Sequence, residues 1–399
     1  MSVLLWVLLL GGLSVSVGDR SPNVLYLDVF LPVWLVFQSY WRGVHPDFRD
    51  PTILHLAWAC FLAFIISAVS NPLDVLKSIA AIKVYIIGFL FYGISRKLRP
   101  SLLILSIWGA TVGVLLLYNY FDSWASLLST TNIVAVKDEV GITLGRSNYV
   151  ASILLLLLPL SLAGFAAEKR GKRWVCAGCC LVMILGLAST LSRGAIAALV
   201  IAILICLPLA FRAGLTYKHV VIGIIAIAVV YIALPSDILD ANVALYNVKL
   251  ANSDPGRVDL MREAWERFQE NPVLGVGPGQ LPTWVKIDGV ENVLSGMNAH
   301  NLVLNALAET GLVGSLPLLL LVSFILNRVW RSAWSLRTPL AVALCVSFTA
   351  VLLHNMVEAS FEGEEFQVVF WTIAALIPVS DVLRAAEPRL SLTPDPLRF

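Results

Sequence analysis

The chain has 399 residues, 58% of them hydrophobic and only 14% charged, with a mean hydropathy of +0.84. Soluble domains carry roughly a quarter charged residues and could not hide so much apolar surface, so a water-soluble fold is excluded and the solvent must be lipid. The net charge of +2 gives no electrostatic footprint for nucleic acid.

Twelve stretches are long and apolar enough to cross about 30 Å of hydrocarbon as helices. They fall at 3–18, 22–41, 52–70, 74–95, 101–120, 147–167, 174–191, 193–211, 218–234, 312–330, 338–357 and 365–383. The predicted fold is an all-α integral membrane protein of about 12 transmembrane helices, with a helical loop domain between spans 9 and 10. In order, the chain divides into N-terminal spans (1–140), further core spans (141–234), the loop with its helices (235–311), C-terminal spans (312–385) and a tail (386–399). The first stretch has neither a basic leading region nor a clear small-residue cleavage site, so it reads as a span rather than a signal peptide.

The basic residues give the orientation. With both termini in the cytoplasm, seventeen Lys and Arg fall on the inside, Arg328 among them, against four in the short outside loops (Arg20, Lys137, Arg146 and Arg193). Lys77 and Lys83 lie within the fourth span, and intramembrane lysine is costly enough to count as a candidate for function. All six cysteines lie in apolar runs. Cys176, Cys179 and Cys180 have no His or second Cys pair to complete a metal site, and read as small packing residues.

The outside segment, 235–299, is the one stretch of globular character. An amphipathic helix is predicted over 257–270, followed by a glycine-rich turn at Gly275-Val-Gly-Pro-Gly279. A second short helix is predicted to open at Asn298, a favourable N-cap, and to stop at Gly311. On the first helix Arg262 has Glu266 four residues on, and Glu263 has Arg267, so both arginines read as ordinary surface pairs. Arg257 shares a face with Met261, Ala264 and Phe268 and has no acid at i+3 or i+4. Either Asp254 neutralises it from the turn, or it is available to an anionic ligand.

Arg193 and Arg146 sit at the outer boundary of spans, as lipid headgroup anchors or as phosphate ligands at the mouth of a cavity. Lys83 either snorkels, forms a structural pair or meets substrate. His300 is placed in the first turn of the second helix, where the helix dipole favours a neutral imidazole able to accept a hydroxyl proton. His354, one turn before Glu358, could join the same chamber. The acids Glu358, Glu362, Glu364 and Glu365 read as a solvated face or as partners of the outside arginines.

Four blocks, Gly145-Arg-Ser-Asn148, Ser192-Arg-Gly-Ala195, Asn271-Pro-Val-Leu-Gly-Val-Gly-Pro-Gly279 and His300-Asn301 followed by Glu309-Thr-Gly-Leu-Val-Gly314, together resemble the O-antigen ligase and polymerase superfamily. The resemblance covers about 140–360. It implies an inner-membrane glycosyltransferase whose loop domain is periplasmic, taking a glycan from undecaprenyl diphosphate with neither metal nor cofactor. The acceptor would be a sugar hydroxyl of lipid A–core for a ligase, with inversion, or another repeat unit for a polymerase of O-antigen or exopolysaccharide.

By the family pattern, Arg193 and Arg257 would bind the diphosphate and His300 would activate the acceptor. Arg146, Asn148, Ser192, Asn301, Lys83 and His354 are the further substrate-binding candidates. The rival from another class is a transporter of a lipid-linked glycan, but the chain lacks the two related halves with paired broken helices that such folds show.

Overall fold

The computed structural model describes residues 14–15, 24–25, 46–48, 50–71, 75–127, 147–190, 192–214, 257–281, 284–287, 290–293 and 298–378. Apart from two short antiparallel ribbons, these residues are mainly helical. The ribbons pair β1 (Ser14–Val15) with β2 (Val24–Leu25), and β3 (Trp284–Ile287) with β4 (Val290–Val293). The helices are α1 (Pro51–Ser70), α2 (Val75–Leu98), α3 (Leu102–Leu127), α4 (Ser147–Ala167), α5 (Gly171–Ser189) and α6 (Arg193–Arg212). They continue with α7 (257–270), α8 (Leu302–Leu336), α9 (Pro339–His354), a 3₁₀ turn (Ser360–Glu362) and α10 (Glu364–Ala374).

Seven of these helices, α1 to α6 and α8, are long and apolar enough to cross a membrane. The expected spans at 338–357 and 365–383 appear instead as α9, with 16 residues, and α10, with 11. At about 1.5 Å rise per residue, neither alone reaches across 30 Å of hydrocarbon. The expected spans at 3–18, 22–41 and 218–234 lie outside the described residues, apart from the β1–β2 strand pair at 14–15 and 24–25.

Helix α4 is the centre of the bundle. Residues Val150–Leu158 and Leu160 are almost wholly inaccessible, which a helix apolar on every side requires. It packs against α3, α5 and α9, while α8 packs on α1 and α10 on α2. Small residues set the closest crossing: a Cβ on Gly186 of α5 would meet the Gly113 Cα of α3 at 2.7 Å. Cys176 and Cys180 are buried, with Cys176 packed against Gly164. Outward-facing side chains such as Trp58, Val69 and Leu204 are 61–75% exposed, a surface suited to lipid rather than water.

One end of the bundle is tied by ion pairs. Asp50 caps α1 by accepting from the Ile53 N–H and also pairs with Arg328 of α8, whose guanidinium donates to the Pro378 carbonyl at 2.9 and 3.1 Å. The sequence places Arg328 on the inside, in a cytoplasmic loop. It is instead buried within α8, which runs on to Leu336. A buried guanidinium persists only where it is paired and hydrogen-bonded in this way.

The opposite end holds the irregular backbone. At Gly311, with φ +57° and ψ −161°, α8 breaks into a short arm, 302–310, and the long span. The break exposes backbone groups, and the turn after α7 takes them up. Val276 and Gly277 N–H donate to the Ala308 and Glu309 carbonyls (2.9 and 2.8 Å), while Leu312 and Val313 N–H donate to the Pro272 and Val273 carbonyls (2.9 and 3.1 Å). A Cβ on Gly275 would fall on the Glu309 backbone and one on Gly311 on the Val273 backbone, so both must be glycine for the segments to touch.

The same turn is latched to α1 and α2. Ser67 and Asn71 donate to the carbonyls of Leu274 (2.6 Å) and Gly275 (3.0 Å), and Ser78 donates to that of Pro278 (3.0 Å).

Candidate active site

Beside this turn, three elements converge on one carboxylate. Glu358 lies in the connection after α9 and is 2% exposed. Its Oε2 accepts from Asn148 Nδ2 in the first turn of α4 (2.7 Å) and lies 3.9 Å from Arg257 Nη2 at the start of α7. Its Oε1 lies 2.9 Å from His300 Nδ1. Burial raises the Glu358 carboxyl. The hydrogen bond from His300 and the charges of His300, His354 and Arg257 outweigh it and bring the group down to about 2. An ionised Glu358 accepts from Nδ1–H, so this pairing assigns the proton of a neutral His300 to Nδ1 and leaves the Nε2 lone pair as a base.

A second layer supports the first. His354 Nδ1 is 2.8 Å from Ser152 Oγ, which is 2.6 Å from Ser360 Oγ. Gly194, second residue of α6, abuts His354: a Cβ there would meet His354 Cδ2 at 3.4 Å and Val357 Cγ2 at 3.1 Å. Arg193 therefore opens α6 one residue from the cluster. Asn298 Nδ2 donates to Tyr149 Oη and to Glu362 Oε2, both at 3.0 Å, and fixes the approach to His300.

Several expectations change on this geometry. His300 is not in the first turn of a helix: it has φ +47° and lies before α8, whose N-cap is Asn301. The Asn301 Oδ1 accepts from Val303 N–H (2.9 Å) and Leu304 N–H (3.0 Å), and its Nδ2 donates to the Met356 carbonyl (2.9 Å). The imidazole is therefore set by Glu358 rather than by the helix dipole, and the Asn301 side chain is occupied in capping and bracing.

Lys83 pairs with Glu364 (3.1 Å), at the start of α10 and not in the Glu358 cluster. Arg262 pairs with Asp259 (3.4 Å) rather than Glu266, whereas Glu263 and Arg267 do pair (3.6 Å). Of the two readings of the acids at 358–365, Glu358 meets the second by pairing with the outside arginine Arg257, and Glu364 is buried against Lys83 rather than solvated. Ser192, buried, precedes α6 as its N-cap without a side-chain cap bond. Arg146 and Asp254 lie outside the described residues.

Glu358 was missed as a site residue. Its sequence signal was its place one turn after His354, but nothing local pairs it with a histidine 58 residues earlier. The β3–β4 ribbon was missed too, although Asp288-Gly289 between its strands is a strong two-residue hairpin signal. Among the described residues, no group of three His, Cys, Asp or Glu is disposed to hold a metal ion.

The fold and site thus define a multi-pass, membrane-type helical protein in which His300 and Arg257, both partly exposed, gather on the buried Glu358 at one end of the bundle. Residues 178–319 match the protein family described as O-antigen ligase, and the matched segment contains Arg193, Arg257 and His300. This match, a little over a third of the chain, supports the O-antigen ligase superfamily, whose members are glycosyltransferase-like enzymes of lipopolysaccharide biosynthesis. No curated protein matches the sequence.

Proposed function

We propose that this protein is an O-antigen ligase of the bacterial inner membrane. It transfers a glycan from undecaprenyl diphosphate to a sugar hydroxyl of lipid A–core on the periplasmic side, with inversion and without a metal. The observation that carries this reading is the 2.9 Å contact of His300 with a buried, ionised Glu358 beside Arg257.

The chemistry follows from that arrangement. His300 Nε2 takes the proton of the acceptor hydroxyl as its oxygen attacks the anomeric carbon. The bond from that carbon to the diphosphate oxygen breaks, and undecaprenyl diphosphate leaves with the electron pair. Arg257 and Arg193 supply positive charge where the leaving group gains negative charge, a task a planar guanidinium performs well with bidentate phosphate contacts. Glu358 holds the imidazole in its basic tautomer and stabilises the imidazolium that forms, as the acid does in other His–carboxylate pairs. Asn148 and Glu358 together orient this base, while Ser152 and Ser360 brace His354 behind it.

The test is transfer by purified protein supplied with an undecaprenyl-diphosphate glycan and lipid A–core in EDTA. Glycan appearing on lipid A–core is the expected result. Elongation of the donor glycan alone would instead make the protein a polymerase of repeat units, and movement of donor between leaflets without any transfer would make it a transporter.

A further inference from the structure

A cavity of about 280 Å³ lies between α1, α2, the glycine-rich turn and the 302–310 arm of α8. Its polar lining comprises Glu309, Glu362, Asn305, Thr310, Lys77 and Tyr85, and Phe64 and Phe361 form part of its apolar wall. The Glu358 cluster does not line it, yet the two share one stretch of chain. Asn298, two residues before His300, donates to Glu362 (3.0 Å), Asn305 Oδ1 accepts from Ala299 N–H (3.1 Å), and Leu302 itself lines the cavity.

The lining selects a class of ligand. No arginine lines the cavity, and a carboxyl group cannot give a phosphate the paired donors of a guanidinium, so the diphosphate of the donor is better placed at Arg257. The volume, near the small end of the roughly 300–1,000 Å³ of ligand pockets, is too small for a polyprenyl chain. Lys77 also lines the space and works against a cationic ligand.

Burial, with the charge of Glu309, pushes the Glu362 carboxyl well above the ordinary range, which favours the form that can donate as well as accept. Glu362 Oε1 is buried with no hydrogen-bond partner, a costly state that a ligand hydroxyl would relieve. Carboxyl, amide and phenol groups facing an aromatic wall suit a neutral ring that has hydroxyls on its rim and C–H groups on its face.

We propose that this cavity seats one neutral pyranose ring of the acceptor glycan, next to the hydroxyl that His300 deprotonates. The assignment rests on the glycosyltransferase reading above and adds where the acceptor binds.

Binding can be read without catalysis, by saturation-transfer NMR on the purified full-length protein with methyl α-glucopyranoside and methyl β-galactopyranoside as probes. At least one glycoside is expected to give a signal that excess inorganic pyrophosphate leaves intact. Glu362→Ala and the cavity-filling Val84→Trp should each cut it by at least about fivefold, as loss of a buried hydrogen bond predicts, while Arg262→Ala leaves it unchanged.

A signal that persists in both variants, one removed by pyrophosphate, or no signal from either glycoside overturns the assignment. If Glu362→Ala fails to fold, Val84→Trp carries the test alone. Transfer to lipid A–core with an unchanged acceptor KM in Val84→Trp would remove the subsite and leave the ligase standing. Glu362-dependent sugar binding in a protein that transfers nothing would remove the ligase and leave a sugar site.

Discussion

His300 and Glu358 stand 58 residues apart in the chain, yet their side chains meet at 2.9 Å across the gap between the start of α8 and the end of α9. The pairing joins a residue in a left-handed turn to a buried carboxylate, and it fixes the orientation of the imidazole.

Replacing His300 or Arg257 with alanine should abolish glycan transfer, because in the proposed mechanism one is the base and the other the charge beside the leaving group. Arg262→Ala should leave transfer within about twofold of wild type, since Arg262 is 64% exposed and holds only a surface pair with Asp259. Membrane insertion, read by fractionation, should be intact in all three. Equal losses in the three variants would refute the assignment of roles along α7.

Glu358→Gln tests the positioning role directly. It keeps the shape of the side chain but no longer dictates the imidazole tautomer, so kcat should fall by about 10- to 100-fold, as for partners that orient functional histidines elsewhere. The KM for donor should change far less, and Glu358→Asp should recover part of kcat. A rise in KM with kcat preserved would make Glu358 a substrate ligand instead.

Stability should depend on pH through the same carboxylate. Its native value of about 2 lies below the ordinary 4.5, so the unfolded state binds the extra proton between those values. The stabilisation is therefore complete above about pH 4.5 and is lost as pH falls towards 2, on the order of 3 kcal/mol at most. In thermal unfolding in detergent, the Tm advantage of wild type over Glu358→Gln should shrink between pH 5 and pH 3. An advantage that grew between pH 5 and pH 3 would contradict the ionised assignment.

Gly275→Ala and Gly311→Ala should each lower the Tm markedly. Both glycines have positive φ (+68° and +57°), and a Cβ on either would fall on backbone of the partner segment, which cannot move aside as a side chain can. Strain at such positions costs about 1–3 kcal/mol before any clash is counted. By contrast Gly171→Ala, with open space at its Cβ, should be near neutral. If the two alanine variants melted like wild type, the contact between the glycine-rich turn and the break in α8 would be wrong.

What the sequence determined by itself was local in origin. Apolar runs longer than a bilayer is thick need only composition to be seen, which is why α1 to α6 were legible. The helix at 257–270 and the break at Gly311 followed from periodicity and glycine in the same way. Tertiary structure decided the rest. Asn298 and Asn301 are equally good N-caps in isolation. Asn301 takes the role, while the Asn298 side chain is held by Tyr149 and Glu362, partners that no local pattern contains. Arg257 and Asn148 likewise acquired a common partner only when the connection after α9 folded back and buried Glu358 between them. Side-chain pairing across such separations depends on three-dimensional packing, and a linear pattern carries no measure of that distance.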